Sequence, residues 1–444
     1  MKWLAGTLAA LLLLILLLIP FIASSPVGKP FFIKAFEERI SGKVEIGSLH
    51  LSWFGPQVFK KVHFTNSDIE GHLEELHSNV PLWSLSRLDG AFTLKNGSFS
   101  FPSYDAGTLE EVNGHIQGND FDLEGKANTS GQFSLTGKVY SKDHFEIAAN
   151  LTNFPTAALD QLLKGHRLVF LALGPTIDLS GTAALHQNQG SVDATLTSSN
   201  IQTTLRANLT EHALTLREPL TATLSLTPEF SQALLSDINP LFLTGIRAKN
   251  PILLHLAQCS FPLRPFSLEK LHAAGTLDMG QVLCRNGKSL ASLIRFLKAK
   301  RLSDAKEMNA WFTPLSVHFE NGTLHTGRMD ALLADSIHIC TWGNIDLIHD
   351  RLNIILGLPA DTLSQSFGIQ NLSENYVLKV PIHGSTQEPE LDKGPAAAKI
   401  AALLAAQQIP GKKGGLLGGL VKVFTHANDE KDIPPANRPF PWEK

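Results

Sequence analysis

The stretch DSIHICTWGNIDLIHDRLNIILGL, from Asp335 to Leu358, gathers the side chains best suited to chemistry: His338, Cys340, His349 and the carboxylates of Asp335, Asp346 and Asp350. A histidine within reach of a carboxylate and a thiol would supply a general base and a nucleophile. The same residues alternate with Ile337, Ile339, Ile345, Leu347, Leu352, Ile354 and Leu356, the period of two that marks strands with one buried face. With His349 and Asp350 at the centre of a tight turn, Leu347 faces Leu352, Asp346 faces Asn353 and Ile345 faces Ile354. The apolar members then share one sheet face, while His338 and Cys340 belong to the strand portion before Trp342. Polar groups strung along ~30 Å of strand do not converge on one substrate atom. The stretch therefore reads as structural, and the chain as a non-enzyme.

The remaining sequence offers no stronger chemistry. It contains no nucleophile elbow, HExxH, CxxC or GxGxxG pattern. In GQVLCRNGKS, six residues rather than four separate Gly280 from Gly287-Lys288-Ser289, so the loop cannot close on a phosphate as a P-loop does. The 17 histidines are scattered singly, without the spacing that puts two ligands on one helix face. Cys259, Cys284 and Cys340 are too few for a disulfide scaffold and read as buried thiols or one optional bridge. No catalytic, cofactor-binding or metal-binding residues are expected, and no cofactor. A net charge of −3 gives no basic field for nucleic acid.

The positioning elements begin with residues 1–25, read as a membrane anchor. Leu4 to Ile22 carries no charge, and this run, which includes Leu11, Leu14, Ile15 and Leu18, is just long enough to cross ~30 Å of hydrocarbon. A cleaved signal peptide has a shorter apolar core of ~7–15 residues, so an uncleaved anchor is the favoured reading, with the bulk of the chain translocated. Residues 26–42 form an amphipathic linker helix, with Phe32, Phe36 and Ile40 at four-residue spacing. Strand texture starts at Lys43, with a slip near Gly47, and fills 43–226. Within it, GAFTLKNGSFSF reads as a hairpin turning at Asn96-Gly97, with Phe92 and Leu94 before the turn and Phe99 and Phe101 after it. Residues 227–314 carry helical insertions, including Gly287 to Leu302 with its basic stripe. Strands resume over 315–392, followed by Ala/Leu/Gly-rich apolar helices over 393–425 and a polar, proline-rich tail, 426–444, expected to be disordered.

Three segments resemble the AsmA-like family of bacterial envelope proteins, which includes the TamB-type relatives. They are ERISGKVEIGSLHLSWFGPQVFKKVHFTNSD after the anchor, SNVPLWSLSRLDGAFTLKNGSF, and FENGTLHTGRMDALLADSIHICTWGNIDLIHDRLNIILGLP followed by YVLKVPIHGSTQEPELD and an Ala/Leu-rich helix. The resemblance implies a mainly β fold: an elongated, curled antiparallel sheet with a taco-like apolar groove and short helices. An N-terminal transmembrane helix and a C-terminal amphipathic helix complete it. It also implies anchorage in the inner membrane of a Gram-negative-type bacterium by a single span, with the bulk of the chain periplasmic. The implied function is carriage of phospholipids towards the outer membrane. On that reading Ile337, Ile339, Ile345, Leu347, Leu352, Ile354 and Leu356 line a lipid groove, and phospholipids and the inner membrane are the partners. The alternative is a non-lipid-carrying factor for outer-membrane protein assembly, with envelope proteins as partners.

Overall fold

The computed structural model describes residues 18–443 except 41, 67–69, 83–88, 102–103, 128–129, 142, 158–167, 232–234, 236–237, 240–244, 264–266, 286–295, 298–305, 387 and 408–431. Among these residues the chain is mainly β, and every strand pairing is antiparallel. Two compact units divide it, Met1–Ser199 and Asn200–Lys444.

The first unit holds β1 (Lys43–His50), β2 (Gln57–Thr65), β3 (Glu70–Ser78), β4 (Gly90–Phe101), β5 (Tyr104–Gln117), β6 (Asp120–Ala127), β7 (Gly131–Ser141), β8 (His144–Pro155), β9 (Thr176–His186) and β10 (Gln189–Ser198). Each pairs with the next, giving a meander in chain order. Asn96 and Gly97 are not a turn. They lie inside β4, where Asn96 adopts a left-handed φ of 50° and the ladder to both neighbouring strands skips one position. Lys61, with φ 53°, takes the equivalent place in β2, opposite Gly47 of β1. The slip expected near Gly47 is thus one end of a row of skipped positions running through Lys61, Glu74 and Asn96 to Glu110. Because each strand skips there, Ile46 and Leu49, Phe59 and Val62, and Leu73 and Leu76 keep to one face despite their uneven spacing.

The outer edge of β1 is capped by the preceding helical segment. Helix α1 (Lys29–Ile40) supplies Glu37, which accepts from the Val44 amide at 2.8 Å, and Lys29, whose Nζ donates to the Gly47 carbonyl at 3.0 Å. Ser24 Oγ accepts from the Leu51 amide at 3.0 Å. Ala23 and Ile33 pack on the core of Val44, Ile46, Leu49, Leu51 and Phe59. An edge strand satisfied in this way offers no free ladder at those positions. Of the expected anchor residues, Leu4, Leu11, Leu14 and Ile15 lie outside the described residues, whereas Leu18 and Ile22 are exposed on the helical residues 18–24. Among the described residues no helix is long and apolar enough to cross a membrane.

The second unit continues with β11 (Ile201–Leu209), β12 (Ala213–Leu216), β13 (Leu220–Leu224), β14 (Gly245–Ala248), β15 (Ile252–Pro262), β16 (His272–Asp278), β17 (Gln281–Arg285), β18 (Glu307–Phe312), β19 (Leu315–Glu320), β20 (Thr323–Leu333), β21 (Ile337–Asp346), β22 (Arg351–Pro359), β23 (Val377–Gly384) and β24 (Pro389–Leu391). The middle segment, read as a place of helical insertions, holds short helical turns at Pro228–Phe230, capped by Thr227, and at Leu268–Lys270. It also supplies the five strands β14 to β18, and most of Gly287 to Leu302 lies outside the described residues. Several consecutive strands are halves of longer lines. β14 and β15 pair with β17 and β16, which in turn pair with β18 and β19, and both of these lie along β20. The interruptions fall at Pro251, at Met279-Gly280 (φ 56° at Gly280), at Pro314, and at Gly327-Arg328, where β20 shifts register against β21. A proline lacks the N–H a ladder needs, which breaks the ladder at Pro251 and Pro314, and the interruptions at Met279-Gly280 and Gly327-Arg328 fall in the lines between and beside them. Helix α2 (Ala360–Phe367) packs on β21 and β22, and helix α3 (Lys393–Gln407) packs on β23, seated by the buried Ala396, Ile400 and Leu403.

Candidate functional site

In the first unit the apolar residues form rows across the strands. One runs Phe92, Gly114, Leu123, Leu135, Ala149, Gly181, Ala194, and the next runs Leu94, Val112, Gly125, Phe133, Leu151, Leu179, Leu196. Glycines in these rows make room for aromatic rings from the adjoining strand. A Cβ on Gly114 would lie within 2.2–2.7 Å of the Phe92 ring, and one on Gly125 within 2.9 Å of Phe133. Phe92, Leu94, Leu123, Phe133, Leu135, Leu179 and Leu196 are only half-buried. Among the described helices of this unit, α1 packs on the sheet at β1, and a short apolar helix, Leu168–Leu173, half-buried over residues 170–173, joins β8 to β9. The opposite face is polar and carries cross-strand ion pairs such as Lys60–Glu75 at 2.9 Å and Lys138–Asp120 at 3.3 Å. The helical residues 18–24 and 29–40 thus pack on the β1 end of this face, and mostly half-buried apolar rows run on across β4 to β10.

In the second unit β11 to β15 also carry half-buried apolar residues such as Leu205, Leu216 and Leu254, whereas the apolar face of β20 to β23 is buried. Ile337, Ile339, Ile345, Leu352, Ile354 and Leu356 do share one face, together with Met329, Ala331 and Val380 from the flanking strands, and all are buried. Leu347 is half-buried at the loop that follows β21. The pairing differs from the tight-turn reading by two residues: Ile345 faces Leu352, Asn344 faces Asn353 and Gly343 faces Ile354. The chain reverses through a wider loop, Leu347 to Asp350. Asp346 holds this loop by accepting from the amides of Ile348 and His349, both at 3.0 Å, and by pairing with His349 Nδ1 at 2.7 Å. A two-residue slip preserves sidedness, so the apolar residues keep their common face.

The other face of β21 carries a buried ion cluster. The irregularity at Gly327-Arg328 sets Arg328 and Asp330 on the side of His338 and Cys340. Arg328 Nη2 donates to Asp330 Oδ1 at 2.7 Å and Nε to Oδ2 at 3.0 Å. His338 Nε2 lies 3.0 Å from Asp330 Oδ1, and its Nδ1 lies 2.8 Å from Asp361 Oδ2 in the first turn of α2. Burial works to lower the His338 pKa, but the hydrogen bonds to the two carboxylates outweigh it and raise the value from 6.5 to about 9. Burial likewise works to raise Asp361, and the hydrogen bond with His338 overrides it, holding this carboxyl below its usual value. Burial, with a smaller push from the Asp330 and Asp361 charges, moves the Cys340 thiol far up against the pull of Arg328. The side chains of Arg328, Asp330 and His338 are buried and Asp361 meets them from the exposed rim, so two cations face two anions, which is how buried charge becomes tolerable.

A segment from the expected disordered tail covers this cluster. Arg328 Nη1 donates to the Pro434 carbonyl at 3.2 Å, Ile433 packs on Cys340, Trp342 and Val377, and Phe440 is buried. The rings of Phe440 and Trp442 lie 5.0 and 5.7 Å from His338. Beside them, a cavity of about 310 Å³ is lined by Asp361, Ser364, Asn371, Glu374 and Arg438 among others.

Both ring nitrogens of His338 are committed to carboxylates, and the neighbouring thiol is held protonated by burial. The arrangement binds β20, β21, α2 and the C-terminal segment together and leaves no free base beside a nucleophile. Cys340 and His338 share a face of β21, while His349 sits apart at the loop. Sequence reasoning passed over Arg328, Asp330 and Asp361, although an Arg and an Asp two apart in a strand already point to one side. Compared with protein-family models, curated proteins and solved structures, the chain finds no match in any of the three.

Proposed function

We propose that this chain is an inner-membrane-anchored periplasmic protein that carries phospholipids, by their acyl chains, along the apolar face of its β-sheet towards the outer membrane. The observation that carries this reading is the pair of apolar rows, mostly half-buried, that run across β4 to β10. Leaving such a face in water costs about 25 cal/mol per Å², and acyl chains offset that cost without any hydrogen-bonding requirement. The rows lie across the strands, so a chain moving from strand to strand meets an unbroken apolar path with a step of about 4.8 Å. The taco-like curl, the anchor and the resemblance to AsmA-like proteins belong to the same proposal.

The test places benzoylphenylalanine at Leu123, Leu135 or Ile147, with Thr136 on the opposite, polar face as control. Irradiation in cells is expected to attach phospholipid at the three inward positions and not at Thr136. Protein-only adducts at all three inward positions would discard lipid carriage and favour an assembly factor.

A further inference from the structure

The first unit displays a second apolar surface, away from the sheet face. Phe21 is 71% exposed, Val27 and Phe31 are each 76% exposed, and Phe54 is 90% exposed. These residues come from three elements that the structure ties to one place. Ala23 and Ile33 point into the core under β1 and β2, which turns Phe21 and Phe31, each two residues away, outward. Ser24 Oγ accepts from the Leu51 amide, bringing the residues 18–24 against the loop that carries Phe54. Both supports are rigid. Ser25 Oγ donates to the Ile22 carbonyl and accepts from the Gly28 amide, and a Cβ at Gly28 would lie 2.0 Å from the Ile22 oxygen. In the other loop the fully buried Gln57 donates to the carbonyls of Ser52 and Gly55, at 2.7 and 3.0 Å, and accepts from the Ser52 amide at 2.8 Å.

A phenylalanine held in water on a clamped loop, beside three more exposed apolar residues, indicates an apolar partner. The sequence on either side says which one. In the sequence Leu4 to Ile22 carries no charge, and the exposed Lys34 follows it, while Lys29 is turned to the Gly47 carbonyl. Apolar side chains bordered by an exposed lysine fit the headgroup boundary of an anionic bilayer. We infer that Phe21, Val27, Phe31 and Phe54 form a lipid-surface seat that holds the β1–β2 end of the sheet at headgroup depth. This rests on the anchored reading above and adds to it: the folded body itself touches the bilayer, through a loop of the sheet, and does not swing free on a tether. The end of the apolar face nearest the membrane is then set by the fold.

The test uses the full chain with Cys259→Ser, since Cys284 and Cys340 are buried. Phe31→Cys, Phe54→Cys and a control, Thr152→Cys on the exposed polar face, are labelled with NBD and reconstituted into phosphatidylethanolamine/phosphatidylglycerol vesicles bearing shallow doxyl lipids. The expected result is loss of most NBD emission at positions 31 and 54 and none at 152. Retention of the protein by the vesicles with positions 31 and 54 open to aqueous iodide would overturn the seat and leave the anchor standing. Shielding from both iodide and doxyl lipid would place a second copy or the chain's own first residues on the patch, and would also overturn it. Failure of the vesicles to retain the chain at all would remove the anchored reading, and the seat with it.

Discussion

The ion cluster at His338 makes stability depend on pH in a direction that can be worked out. The folded pKa, about 9, stands above the ordinary 6.5, so the folded form binds the proton more tightly than the unfolded one. The stabilisation is therefore complete below about pH 6.5 and disappears as pH rises through about 9. At about 1.4 kcal/mol per tenfold difference in proton affinity, the ceiling is about 3 kcal/mol. About 2.5 kcal/mol of it is present at pH 7 and almost none at pH 10. Neutral His338 has one N–H for two carboxylates, so either the Asp330 or the Asp361 contact fails first. The measurement is urea unfolding at pH 7 and pH 10, read from pulsed hydrogen exchange of the β20 and β21 amides. His338→Gln serves as the reference that cancels every other group titrating in that window. Wild type should lose about 2.5 kcal/mol more than the variant over this span. Equal losses would mean that His338 is not held as a cation between these carboxylates, and the account of the cluster would be wrong.

Two further perturbations read the packing around the same strands. Gly357→Ala would place a Cβ 2.5 Å from both Cys340 Sγ and Val377 Cγ1, and such overpacking should cost about 1–3 kcal/mol in a thermal or urea melt. Thiol reagents should leave Cys284 and Cys340 unmodified in the native protein and reach the half-buried Cys259 slowly, because burial raises its pKa as well; rapid native labelling of Cys340 would show that the C-terminal segment does not cover it.

The period-two pattern made the strands legible, and even a wrong turn at His349-Asp350 left the sidedness of Ile345, Leu352 and Ile354 intact, because the error was an even number of residues. What the pattern hid was which strand irregularities reverse the chain and which do not. Asn96-Gly97 has the composition of a hairpin turn, yet with β3 and β5 already paired on both sides, Asn96 uses its tolerance of positive φ to skip one position inside a long strand. The ion cluster was hidden for a different reason. Its members, Arg328, Asp330, His338 and Asp361, come from two strands and a helix, and only tertiary pairing unites them. The tail misled through its average composition. Phe440 and Trp442 are a small fraction of a polar, proline-rich segment, but they are the residues that fold it onto His338.

The same alternation of apolar and polar residues ends in two physical states within this chain, and the difference lies on the outward face. In IHICTW of β21 the outward residues His338, Cys340 and Trp342 are themselves buried, under the segment 432–443, while the inward Ile337, Ile339 and Thr341 sit in a closed core. A strand buried on both sides is a structural element, and a charge placed at Ile339 or Ile354 would report on folding before anything else. In β6 to β8 the outward residues Asp122, Thr136, Lys138 and Glu146 are all exposed, and the inward Leu123, Leu135 and Ile147 are half-buried. The second pattern leaves apolar side chains half-exposed among the described residues, and it is there that a ligand's contribution is separable from the protein's own stability. Functional probes therefore belong at Leu123, Leu135 and Ile147, where a substitution changes the lining without opening a core.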